Sequence, residues 1–292
     1  MGPDDGVYLT ADQWTVPLPP VGMQVTSTAL TTEGHTEFIV RNTAADGLQA
    51  SFLDTGVQSH GAEGHEATVD GEFDAAPGPY QGGAPNRCDD QRWSSLGHTV
   101  YGPMVWSYNP AGAPSGVAAA SEGAFVTGYD NVAATRDGCN IESTAALTTQ
   151  TYTGTTATPP NISSVRTCTP YDGLNVAGWV PGSTGYLGLA CIWSYVDGGR
   201  GPAAIDADII LNSTYAWSTG PTFSGSEYDV TSVVSHEAGH VFGLGHAGDS
   251  ASPSQLTMSG SGVYPGSIYA RLLGAGDLEG LTTLYGAIGV DR

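Results

Sequence analysis

The run His236-Glu237-Ala238-Gly239-His240-Val241-Phe242-Gly243-Leu244-Gly245-His246 constrains the fold more than any other stretch of the chain. His236 and His240, four residues apart, share one face of a helix, one turn above the other. That spacing lets two imidazole nitrogens reach one zinc ion at about 2.0–2.1 Å. A third ligand must come from another direction, so the chain has to leave the helix and turn sharply. Gly243 provides the turn, because glycine takes positive φ without a steric penalty. His246 follows as the third ligand. Three neutral histidines leave the fourth tetrahedral position open, the arrangement of a catalytic rather than a structural zinc. Glu237, beside the first ligand, can reach water at that position, take its proton and later deliver it to a leaving amine. With 7 His and 42 Gly in 292 residues, a chance match to the three His, the Glu and Gly243 is on the order of 10⁻⁵.

Composition narrows the partners. Apolar residues make up 40% of the chain, enough for a large core, whereas Asp, Glu, Lys and Arg together reach only 13%. All 8 basic residues are arginine, against 29 acidic ones, for a net charge of −21. Nucleic-acid binding needs basic patches to neutralise phosphates, and an anionic membrane surface needs them too. Neither partner is expected, and no apolar run is long enough for a membrane span. Sparse charge, abundant Gly, Ser and Thr and an even number of cysteines point to a secreted, extracellular protein, although no signal peptide stands at the start of the sequence. A monomer is expected.

Two regions differ in texture. Residues 1–84 read as a small β-rich extension or pro-segment: prolines 17, 19 and 20 interrupt its start, residues 36–40 and 48–53 read as strands, and residues 74–85, rich in Pro, Gly and Ala, read as a linker. From 85 to 292, strands and helices alternate. Residues 105–108, 174–180, 187–193 and 205–211 read as strands. Helices are expected after Ser115, from Asp229 or Thr231 onward, and over 275–285. Strands followed by helices over one sheet indicate an α+β or α/β domain.

The pattern His-Glu-x-x-His-x-x-Gly-x-x-His resembles the zinc motif of the metzincin peptidases. Met258, twelve residues after His246 in Gln255-Leu256-Thr257-Met258-Ser259-Gly260, fits the methionine turn that lies beneath the zinc in that clan. Over about residues 86–289 the chain looks most like a bacterial-type matrixin, of the matrix-metallopeptidase family. Residues 207–212 followed by Trp217 resemble the strand before the zinc helix, residues 276–286 the closing helix, and residues 105–109 the opening strand. The sequence departs from the family at Ala247, where matrixins usually carry serine, and in a longer stretch to the methionine turn. Gly260 leaves no tyrosine as a further ligand, and no His between Cys168 and His236 serves a second, structural zinc.

The resemblance implies an α+β, zincin-like catalytic domain over residues 85–292. Its features would be a twisted, mostly parallel sheet, an active-site helix and a C-terminal helix, with the small β-rich segment 1–84 in front. It implies a secreted zinc endopeptidase with one catalytic zinc on His236, His240 and His246, hydrolysing protein or peptide substrates by a zinc-bound water activated by Glu237. It also implies a cleft whose upper edge is the strand 188–193. A peptide would add to Gly188, Leu189 and Ala190 as an antiparallel strand. The pocket past the cut would be walled by Val241 and, after the methionine turn, by Tyr264 and Pro265.

Other groups carry open alternatives. Cys88, Cys139, Cys168 and Cys191 allow three pairings; Cys88–Cys139 with Cys168–Cys191 is the expected one. Arg87-Cys88 also resembles a fragment of the Pro-Arg-Cys-Gly stretch whose thiolate keeps animal matrixins latent, with its Pro and Gly missing here. Asp172, Asp197, Asp206 and Asp208 supply hard oxygens for a calcium ion (Ca2+), or are plain solvated carboxylates. His35, His60, His65 and His98 read as exposed loop residues. Two other functions compete with the peptidase: a secreted zinc-binding module without peptidase activity, adhesive or inhibitory, and a latent zymogen plugged by residues 1–84.

Overall fold

Successive side chains of residues 188–195 leave a strand on opposite faces, and here both faces are buried. In the computed structural model Ala190 and Ile192 enter one core while Leu189, Cys191 and Trp193 enter another. The strand therefore lies inside a sheet covered on both sides. The structure describes residues 7–32, 34–54, 86–141, 148–163, 166–182, 185–196, 202–221, 225–247, 254–260 and 263–286.

The sheet has eight strands: β1 (Met23–Leu30), β2 (His35–Thr43), β3 (Gly47–Asp54), β4 (Met104–Asn109), β5 (Gln150–Thr155), β6 (Val176–Val180), β7 (Gly188–Tyr195) and β8 (Ala203–Asn212). Across the sheet they run β3-β2-β1-β7-β8-β6-β4-β5. Neighbours from β8 to β5 are parallel. Those from β8 through β7, β1 and β2 to β3 are antiparallel.

This corrects the expected α+β fold with a mostly parallel sheet. The chain is mostly β, with three α-helices among the described residues, and the sheet is mixed. The antiparallel half comes from the N-terminal segment. All of β1 is buried, yet Gln24, Thr26, Ser27 and Thr28 break up its apolar pattern. The notion of 188–193 as an edge strand is corrected too, because β1 pairs with β7 along its whole length. The boundary expected near residue 85 lies outside the described residues.

Helices α1 (Ala118–Ala133) and α2 (Val230–Val241) share one core with Ala190, Ile192, Ile209 and Leu211 of the sheet. A smaller sheet, built from Tyr8–Ala11, Trp14–Pro17, Ile162–Ser163 and Thr167–Cys168, supplies the opposite core with Trp14, Val16 and Ile162. Helix α3 (Ala275–Gly286) closes the described chain. Both expected disulfides form, Cys88–Cys139 and Cys168–Cys191, so Cys88 offers no free thiolate to a metal. Two disulfides are compatible with an extracellular protein. No described helix is long and apolar enough to cross a membrane. His35 and His98, expected in exposed loops, are buried; His60 and His65 lie outside the described residues.

Candidate metal centre

Helix α2 starts where Asp229 caps it. The Asp229 carboxylate accepts the Ser232 amide at 2.8 Å and pairs with Arg271 at 2.6 Å. All twelve helical residues are buried, so the helix is fixed on every side. It ends at Phe242, and Gly243 takes a φ of +91°. A Cβ on Gly243 would run into the His98 carbonyl oxygen, so only glycine fits both the angle and the space. The turn brings His246 back over the helix.

The three Nε2 atoms converge. They lie 3.1 Å apart for His236 and His246, 3.2 Å for His240 and His236, and 3.1 Å for His240 and His246. A tetrahedral zinc with ligand bonds of about 2.0–2.1 Å has ligand–ligand edges of about 3.3 Å. Each Nδ1 is engaged elsewhere: with the Thr257 carbonyl at 2.7 Å, the Leu244 carbonyl at 2.8 Å and the Glu37 carboxylate at 2.6 Å, for His236, His240 and His246 respectively. These acceptors favour the tautomer with the proton on Nδ1, which aims all three Nε2 lone pairs at one point. Burial holds the imidazoles neutral, lowering His236 to about 4 and the other two well below the usual range. Lone pairs facing one another at this distance repel, and a cation between them removes the repulsion. The cluster can hold a metal ion, and it is the one group of its kind among the described residues.

Glu237 is fully buried, and neither carboxyl oxygen has a hydrogen-bond partner among the described residues. Burial pushes its pKa well above the usual carboxylate range; the Leu30 amide offsets this in part without closing a hydrogen bond to either oxygen. Its side chain lies against Gly188 of β7, where a Cβ would stand 2.5 Å from Oε1. Glycine at 188 thus makes room for the carboxylate.

Met258 packs its sulfur against Gly239 of α2, and its carbonyl accepts the Ala247 amide at 2.9 Å. Asp277, in the first turn of α3, holds this turn by accepting the amides of Thr257 at 2.9 Å, Met258 at 3.2 Å and Gly274 at 2.8 Å. Since the Thr257 carbonyl also accepts from His236 Nδ1, Asp277 orients a candidate ligand at one remove. Sequence reasoning quoted Asp277 within the closing helix and gave it no role.

Two further residues escaped it. The His35 ring stacks on His246, with centroids 3.7 Å apart and planes 18° off parallel. Glu37 accepts the His246 amide at 3.0 Å in addition to Nδ1. The signal was the period of two in β2: His35, Glu37 and Ile39 face the helices, while Phe38 and Val40 face the other core.

The residues expected to bind substrate are dispersed. Gly188 lies at Glu237 and Ala190 on the same face, but Leu189 points into the opposite core. Val241 is buried, and its carbonyl meets His98 Nε2 at 3.2 Å. Tyr264 and Pro265, half-buried, begin a turn closed by the Ser267 amide on the Tyr264 carbonyl at 3.1 Å. Of the carboxylates considered for calcium, Asp197 lies outside the described residues. Asp206 and Asp208 are buried rather than solvated. Asp206 accepts the amides of Asp172 at 2.9 Å and Gly173 at 2.6 Å, and Asp208 that of Val176 at 3.1 Å. Backbone amides thus engage one oxygen of each carboxylate, Asp206 Oδ2 and Asp208 Oδ1.

No protein-family model matches the chain, and a search of curated proteins returns no match.

Proposed function

We propose that this chain is a secreted zinc-dependent endopeptidase that uses a metzincin-type zinc motif. The observation that carries the reading is the convergence of three neutral Nε2 lone pairs beside a buried carboxylate with no partner of its own. Nitrogen donors in this number and spacing suit zinc, and their separations fit its tetrahedral edge. Zinc on His236, His240 and His246 would supply a Lewis acid that polarises the scissile carbonyl and makes water acidic near neutral pH.

The chain's own residues do the rest. A Glu237 oxygen takes a proton from the attacking water and passes it to the amine nitrogen as the C–N bond breaks. Its unpartnered oxygens are free for that exchange. Thr257, Leu244 and Glu37 hold the three imidazoles in register, and Met258 supports the helix at Gly239. The net charge of −21 would draw cationic peptides to the protein at low salt.

Metal content and hydrolysis of a quenched-peptide library test this reading, with and without a chelator. One zinc per chain and chelator-sensitive cleavage support it. Stoichiometric zinc without cleavage, in protein whose site admits a peptide hydroxamate, leaves a zinc-binding module that is not a peptidase.

A further inference from the structure

We propose, resting on the metal assignment in that reading, that His35 is a positioning residue for the third ligand and that β2 is a permanent wall of the metal centre. His236 and His240 stand on α2, which is buried on every side. His246 stands past the turn at Gly243 and off the helix, so contacts from elsewhere in the chain must orient its ring. Its backbone is held at both ends: the amide donates to Glu37 at 3.0 Å, and the carbonyl accepts the Ser94 hydroxyl at 2.8 Å. Away from the metal-facing nitrogen, the ring's hydrogen bond runs from Nδ1 to Glu37 at 2.6 Å. That bond fixes one point and leaves the ring plane free to roll about it. The plane is set by His35, whose ring lies face to face with that of His246, centroids 3.7 Å apart and planes 18° from parallel. The separation is van der Waals contact over a whole face. Alternation along a strand puts residues i and i+2 on one face, so β2 offers a flat ring and a carboxylate to the same ligand. β2 is itself paired on both edges, with β1 and β3, which keeps this mount rigid. The space that His35 fills exists because residue 260, in the methionine turn, is glycine. A Cβ there would stand 2.5 Å from His35 Nδ1 and 3.1 Å from its Cβ. Gly260 and the third ligand thus hold the His35 ring between the methionine turn and the metal centre.

The test uses the intact chain, loaded with zinc to measure affinity and with cobalt(II) for its visible absorption, which reports the geometry of the ligand set. His35→Ala should bind zinc about tenfold more weakly, the scale for a group that orients a ligand, and should shift the cobalt spectrum. His35→Phe keeps a flat face without a ring nitrogen, so it should return both readouts towards wild type. Gly260→Ala leaves His35 in the sequence but drives its ring aside, and should shift the cobalt spectrum as His35→Ala does. A His35 that only fills space would lower the melting temperature when truncated and leave spectrum and affinity unchanged. That result overturns the proposal, as does a phenylalanine variant no better than the alanine one. Where His35→Ala does not fold, the other two variants decide. A wild-type spectrum in His35→Phe with a shifted one in Gly260→Ala supports the proposal, and an unshifted Gly260→Ala overturns it. Wild-type protein that takes up neither metal removes the metal reading and the proposal with it. Metal uptake that depends on His35, without peptide cleavage, removes the peptidase reading and leaves the role of His35 standing.

Discussion

His246 donates through Nδ1 to the Glu37 carboxylate at 2.6 Å, across 209 positions of sequence. The bond ties the N-terminal hairpin to the third candidate ligand, and the carboxylate raises that ligand's basicity. Glu37→Ala should weaken zinc binding by the intact chain about 10-fold or more, measured by competition with a chromophoric chelator. Glu37→Gln, which keeps an acceptor oxygen, should recover part of the loss. Unchanged affinity in both variants would show that the bond does not hold the ring.

The two ends of that bond were not equally legible in the sequence. His246 was, because helix spacing and a glycine turn are local rules: the three histidines and Gly243 follow from residues a few positions apart, whereas Met258 followed from the family resemblance. Glu37 was not, because its role exists only through a strand register joining residues 23–30 to 188–195. The polar run from Gln24 to Thr28 disguised β1, whose burial comes from the sheet around it rather than from its own side chains. Treating 188–193 as an open edge followed from the family resemblance. The chain's own N-terminal strand fills that edge.

Asp277 makes a second prediction. Its carboxylate is the shared acceptor for three amides at the methionine turn. Asp277→Ala leaves those buried donors unpaired and should cost about 3 kcal/mol or more of stability. Asp277→Asn, with one acceptor oxygen, should fall between the two. Denaturant unfolding measures this, and a midpoint unchanged in the alanine variant would contradict the assignment.

Gly188 faces the carboxylate at close range, so Gly188→Ala should displace Glu237 while leaving the three histidines in place. The expected result is normal zinc content with peptide hydrolysis reduced at least about tenfold, the scale of a misplaced proton acceptor. Normal hydrolysis would show that Glu237 does not need this space.

The Asp206–Asp208 pair sets a pH dependence. Burial raises both groups, and for Asp208 the neighbouring Asp206 adds to the effect, pushing it up to about 9. A carboxyl group raised in the folded state binds its proton more tightly there than when unfolded. Its contribution to stability is complete below the ordinary carboxylate range and is lost as pH rises through the raised value. The melting temperature should therefore fall between pH 7 and pH 10. Asp208→Asn, which needs no proton, should flatten that fall. An identical fall in the variant would mean that the pair does not share a proton.

The central claim is that Glu237 serves a zinc held by His236, His240 and His246. The most direct measurement sets wild-type protein beside Glu237→Ala, with zinc per chain and cleavage of a quenched-peptide library recorded on the same samples. The account predicts one zinc per chain in both and a loss of cleavage of about 10²–10⁴-fold in the variant. Equal cleavage by the two proteins, or wild-type protein that binds no zinc, would contradict it.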